Sequence, residues 1–134
     1  MAPNDISQQI VDAAVQIHRA LGPGLLETVY EVVLAHELAQ RGFKVERQVP
    51  IPLVYNGTEF AVAFRADLLV EDMVIVELKS TETNHPVYYK QLRTQLVLAK
   101  KPLGLVLNFG LELMKHGITR VVNGLPDQTA TPTS

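Results

Sequence analysis

The chain contains no cysteine. That absence excludes disulfides, zinc ribbons and iron–sulfur clusters together. Any metal must therefore be held by oxygen atoms or by a few of the four histidines. No apolar run approaches the ~20 residues of a membrane span. Met1-Ala2-Pro3-Asn4-Asp5 is not the positively charged start of a signal peptide. The expectation is a soluble, cytoplasmic protein without a membrane partner. Charge is also sparse: 19% of residues are charged, against the usual ~25%. With 134 residues and 47% hydrophobic content, the chain is no disordered tail and is long enough for one domain with a real core.

The net charge of −2 gives no global argument for nucleic acid, but its distribution is uneven. Residues 1–78 hold five Lys/Arg against eleven Asp/Glu, a balance of −6, and residues 79–134 hold seven against three, or +4. An acidic site beside a basic footprint would have this pattern, and so would chance on a small surface.

Ile6, Ile10, Ala13, Ala14, Ile17 and Leu21 recur at helical spacing and predict a helix over 5–20. Gly22-Pro23-Gly24 ends it. A second helix is expected from about Leu25 to Arg41, stopped by Gly42. Strands rich in Val, Ile, Phe and Tyr follow near 44–55 and 58–64, around the hairpin signal Asn56-Gly57. Pro50 and Pro52 mark an edge or bend. Further strands are expected at 65–70 and 73–79, with Asn84 and Pro86 capping and opening a helix that ends near Lys100. Leu103–Phe109 reads as a strand buried on both faces, and Ile118–Val122 as a last strand. The domain is expected over 1–123, with 124–134 a disordered tail. The order implies an α/β sandwich around one sheet.

The chemistry concentrates in Arg65-Ala66-Asp67-Leu68-Leu69-Val70 and Met73-Val74-Ile75-Val76-Glu77-Leu78-Lys79. A three-residue turn at 71–73 pairs Val70 with Val74 and sets Asp67 opposite Glu77, where Cβ atoms stand ~4.5–5.5 Å apart. Ala66, Leu68, Val70, Val74, Val76 and Leu78 then share one apolar face, while Arg65, Asp67, Glu77 and Lys79 share the other. Two adjacent carboxylates repel unless a cation or proton joins them. Hard oxygen ligands suit Mg²⁺ or Mn²⁺. Lys79 is placed to neutralise a phosphate oxygen or orient an attacking water; a salt bridge to Glu77, or to both carboxylates, is the competing role. Glu27 projects on the Leu34/Leu38 side of the second helix, as a member of the acidic site or as a dipole-favoured residue at a helix start.

With these residues in view, the chain resembles a known family. Gly24-Leu25-Leu26-Glu27-Thr28-Val29-Tyr30 matches the GxxExxY signature of a family of small bacterial proteins. Asp67 and Glu77-Leu78-Lys79 match the D…(D/E)xK pattern of the PD-(D/E)xK nuclease superfamily in which it is placed. The resemblance runs from about residue 5 to 123, through Leu21-Gly22-Pro23-Gly24, Gln48-Val49-Pro50 and Gly104-Leu105-Val106-Leu107-Asn108-Phe109-Gly110. It implies a restriction-endonuclease-like fold, a central mixed β-sheet flanked by helices, and a metal-dependent nuclease acting on DNA in preference to RNA. Asp67, Glu77 and the Leu78 backbone carbonyl would hold Mg²⁺ or Mn²⁺. Lys79 would assist the nucleophilic water, and Glu27 would complete the acidic cluster.

The expected substrate contacts are Tyr30, Gln91, Gln95, Lys90 and Arg93. Gln91 matches the glutamine of a Gln-x-x-x-Tyr motif, but Gln95 stands where that motif has tyrosine. A homodimer presenting two sites follows by analogy with junction resolvases of similar size. The competing class is a non-catalytic nucleic-acid-binding or interaction module that retains the fold. His18, His36, His85 and His116 lack ligand spacing and are read as structural or exposed, and Tyr88-Tyr89 as packing at a helix start.

Overall fold

The structure, a computed structural model, describes residues 1–124. The expected tail therefore lies outside the described residues except for Gly124. Helices α1 (Pro3–Leu21) and α2 (Glu27–Gln40) precede strands β1 (Val45–Tyr55), β2 (Thr58–Val70) and β3 (Val74–Lys79). Helix α3 (Pro86–Ala99), β4 (Leu103–Asn108) and β5 (Ile118–Val122) complete the order. The sheet is mixed, in the order β1-β2-β3-β4-β5. Only β3 and β4 are parallel, and α3 is their crossover; the remaining neighbours are antiparallel. No described helix is long and apolar enough to cross a membrane.

Each face of the sheet buries its own core. Ile6, Ile10 and Ile17 of α1 and Leu34 and Leu38 of α2 pack on Leu68, Val70, Val74, Val76 and Leu78. Leu92 and Leu96 of α3 pack on Ile75, Val106 and Val121 opposite. β4 is buried at every residue, as its unbroken apolar run requires. Leu92 lies against Gly104, where a Cβ would come within 2.9 Å of its side chain.

The Asn56-Gly57 turn has positive φ at both residues, +52° and +80°, the mirror-image turn whose twist suits a hairpin. Residues 58–64 and 65–70 form one continuous strand rather than two. Val70 faces Val74 across the three-residue turn, with Leu68 facing Val76. The expected apolar face needs one correction. Ala66 packs with Ile51, Leu69 and Ile75 on the α3 side, while Leu68 and Val70 face α1 and α2. Between them the hairpin turns over at Gln48 and Asp67, which are skipped in the register between Arg47↔Leu68 and Val49↔Ala66.

Candidate active site

The ladder between β2 and β3 runs out at Leu68 and Val76. Beyond it, side-chain carboxylates replace the backbone as partners. Glu77 Oε2 accepts a hydrogen bond from the Asp67 N–H at 3.1 Å, and Asp67 Oδ2 accepts one from the Leu78 N–H at 2.9 Å. The two acids thus brace the mouth of a splayed strand pair. One residue's N–H and C=O face the same strand edge in a ladder. The Leu78 carbonyl therefore opens toward Asp67, whereas the Lys79 carbonyl faces the other way and accepts from the Phe109 N–H at 2.8 Å.

Glu77 is only 8% exposed. Burial first, and then the neighbouring Asp67, push its carboxyl up to about 8. The Gln95 side chain borders Glu77 and favours its charged form, while Gln95 Oε1 is buried with no hydrogen-bond partner. No ion pair among the described residues joins Lys79 to either carboxylate. Its Nζ stands instead 4.7 Å from the centroid of the Tyr88 ring. The salt-bridged role considered for Lys79 is therefore not adopted.

On its other side Asp67 is tied to α2. Gln48 Nε2 donates to Asp67 Oδ1 at 3.4 Å and to Glu31 Oε1 at 2.8 Å. Glu31 Oε2 accepts from Arg47 Nε at 3.1 Å and pairs with Arg47 Nη2 at 2.9 Å. Gln48 adopts φ +52°, a left-handed conformation that costs a non-glycine residue energy, where the hairpin register skips Gln48 and Asp67. The strain aims one amide at two carboxylates.

A family model described as the PD-(D/E)XK nuclease superfamily matches residues 4–121. The chain belongs to the PD-(D/E)XK nuclease superfamily. No curated protein and no solved structure matches it. The mixed five-stranded sheet with helices on both faces is the α/β arrangement expected of this superfamily, whose members are typically nucleases and generally use divalent metals. The donor set of this chain fits such an ion. Asp67, Glu77 and the Leu78 carbonyl are hard oxygens on one gap, and the orphaned Gln95 oxygen borders Glu77. Among the described residues neither carboxylate makes an ion pair, and Lys79 acts on Glu77 only as a nearby charge.

Glu27 departs from the expected cluster. Among the described residues no group of three or more acids or histidines is close enough to hold a metal. As the first residue of α2, Glu27 stays exposed. It lines a cleft of about 560 Å³ with Gly24, Leu25, Ser80, Thr81 and Glu82. The α2 carboxylate linked to Asp67 is Glu31, one turn further on. Tyr30 is also corrected: it is fully buried, and no substrate can reach it. Its ring stacks on Phe109 at 4.3 Å, and its hydroxyl donates to the Gly22 carbonyl at 2.5 Å and accepts from the Leu25 N–H at 3.2 Å. It fixes the loop that carries Glu27.

Along α3, Gln91 and Lys90 are exposed and Gln95 turns inward to Glu77. Arg93 donates to the Val122 carbonyl at 2.7 Å, which anchors β5. Asn84 does not cap α3. The cap position belongs to His85, and Asn84 instead donates to the His116 carbonyl at 2.9 Å. His36, His85 and His116 are exposed, and His18 is buried against the Leu111 carbonyl at 2.8 Å.

Three positions escaped the sequence reading. Glu31 projects near Leu38 on the helical wheel, a signal as strong as the one used for Glu27. Gln48 entered only as part of the Gln48-Val49-Pro50 stretch of the resemblance, because its role depends on a backbone conformation. Asn108, fully buried, secures the loop after β3. Its Oδ1 accepts from the Thr81 and Gly110 N–H groups, both at 3.0 Å, and its Nδ2 reaches Thr81 Oγ1 at 3.1 Å and Asn84 Oδ1 at 3.1 Å. A Cβ on Gly110 would fall 2.2 Å from the Thr81 carbonyl oxygen, so only glycine permits this approach.

Proposed function

We infer that the protein is a divalent-metal-dependent nuclease that hydrolyses phosphodiester bonds, with DNA preferred over RNA. The observation that carries this reading is the Asp67–Glu77 pair, held at a strand gap by reciprocal backbone hydrogen bonds and, among the described residues, joined to no cation by an ion pair. Asp67, Glu77 and the Leu78 carbonyl would hold Mg²⁺ or Mn²⁺, which supplies Lewis acidity that neutralises phosphate charge and strengthens water as a nucleophile. Lys79, steadied over Tyr88, orients the attacking water and offsets charge developing on the phosphate. The Glu31–Gln48 link holds Asp67 in its orientation. Glu27 lines a cleft with Ser80 and Thr81, which directly follow the β3 end that carries Glu77 and Lys79. Lys90, Gln91 and the remaining donors of Arg93 contact phosphates from α3, and Gln95 lines the inner wall of the site.

The reading extends to the GxxExxY group. Gly24 has φ +104°, and Tyr30 locks the loop that presents Glu27, which gives each signature position a physical task. Residues 1–123 act as one nuclease domain, and the chain without cysteine suits the cytoplasm. The test is cleavage of supercoiled, linear, single-stranded, branched and RNA substrates with Mg²⁺ or Mn²⁺, beside an identically purified Lys79→Ala protein. Metal-dependent cleavage absent from the variant supports the assignment. A folded protein that binds metal yet cleaves none of these substrates would overturn it in favour of a binding module.

A further inference from the structure

The outer half of the β1–β2 hairpin has two unequal edges. β3 pairs with β2 only at Leu68–Val70, so Thr58–Ala66 has a strand neighbour on the β1 side alone. Even there the register slips between Ile51↔Phe64 and Leu53↔Phe60, leaving residues 61–63 without a partner on β1. The β1 edge of this ribbon carries Pro50 and Pro52, which lack the N–H another strand would use. The β2 edge carries no proline and no lysine. It reads Thr58-Glu59-Phe60-Ala61-Val62-Ala63-Phe64-Arg65-Ala66, with Phe60 50% and Val62 48% exposed. An open apolar edge of this kind is a template for strand pairing.

Residues 60–64 of this segment, Phe-Ala-Val-Ala-Phe, form a palindrome about Val62. Laid antiparallel on its own copy, Phe60 meets Phe64, Ala61 meets Ala63, and Val62 meets itself. Glu59 then meets Arg65, twice by symmetry. Neither Glu59 nor Arg65 makes an ion pair within the chain among the described residues. Apolar, small and oppositely charged positions thus all match under one two-fold operation, which is the requirement of an isologous interface. Because the two-fold operation uses this edge of both copies, the assembly closes at two.

We propose that residues 59–65 of β2 pair with the same residues of a second copy, forming a two-fold dimer whose sheet is continuous through Val62. Seven residues a side is a modest contact beside the ~1,200 Å² of small stable interfaces, so the dimer is concentration-dependent. This assignment rests on the hairpin alone and survives if the nuclease reading fails. Where that reading holds, Asp67 lies five residues from the axis, and at ~3.3 Å per residue the two acidic pairs stand on the order of 30 Å apart.

Because the chain has no cysteine, Val62→Cys is a direct probe. The full-length variant is expected to form a disulfide-linked dimer under mild oxidation, whereas Val54→Cys on β1 does not. Sedimentation velocity over a concentration series should show a reversible monomer–dimer equilibrium for the natural chain. Glu59→Arg or Arg65→Glu should each weaken it about tenfold or more, and the two changes in one chain should restore it. Circular dichroism confirms that each variant is folded. A chain monomeric throughout the series, equal crosslinking at Val54 and Val62, charge reversals without effect, or growth beyond two copies would each overturn the proposal.

Discussion

The two sides of Asp67 hold buried carboxylates of nearly equal exposure, 3% for Glu31 and 8% for Glu77, in opposite circumstances. Glu31 is satisfied on both oxygens by Arg47 and Gln48. Glu77 has an N–H donor and an amide but no ion-paired cation, and a second acid beside it. Burial of a charge is tolerable only with compensation. The α2 side is therefore finished structure, whereas the α3 side leaves Glu77 without an ion pair, which the proposed function would complete with a metal.

The largest effects should come from breaking the unfinished side. Asp67→Asn is expected to lower metal-dependent cleavage on the order of 10³-fold, and Mg²⁺ affinity should fall with it in calorimetry. Lys79→Ala should lower turnover about 10²–10³-fold while metal affinity stays nearly unchanged, since Lys79 is no ligand. Retained cleavage in either variant contradicts the role assigned to that side chain.

The pH dependence sharpens the contrast. Glu77 titrates near 4.5 when unfolded and is raised to about 8 by burial and Asp67 in the fold. The folded state therefore holds this proton more tightly. Its contribution to stability is complete below the unfolded value and is lost as pH rises through the folded one. Thermal unfolding of the metal-free protein should show a decline across that window which flattens in Glu77→Gln. Saturating Mg²⁺ should stabilise increasingly toward high pH, because it binds the ionised form.

The finished side should fail through stability first. Arg47→Ala leaves Glu31 buried with half its partners lost, and should cost about 1–3 kcal/mol in denaturant unfolding, toward the lower end because Arg47 itself is 46% exposed. The smallest effect on the fold is expected from Gln48→Gly. Glycine takes φ +52° without strain, which offsets part of the cost of leaving the buried Glu31 Oε1 without its donor, so the net loss should stay below that of Arg47→Ala, while metal affinity falls about tenfold as Asp67 loses its brace. Unchanged affinity would show that the Gln48 bridge positions nothing.

How far these features were legible in the sequence depends on their range. The alternation of Leu68, Val70, Val74, Val76 and Leu78 announces the buried face, and an odd-length turn follows because only it keeps that face apolar. The helices of α1 and α3 and the strand character of β4 are equally plain. Ala66 breaks the pattern because Gln48 and Asp67 turn the hairpin over, an event that alternation assumes away. Glu27 and Glu31 sit one turn apart on similar wheel positions, and which one reaches Asp67 depends on where α2 begins over the sheet. Tyr30 belongs to a signature motif, yet its burial against Phe109 is set by a strand far along the chain.

Asn108 has a consequence for motion. Its single amide fastens the Thr81 and Gly110 N–H groups to the fully buried end of β4. Local opening that exposes these amides must unfasten a core side chain, so they should exchange with deuterium on the slow timescale of the central strands rather than that of a surface loop. On this count the wall of the cleft facing Glu27 should be among the last segments to unfold.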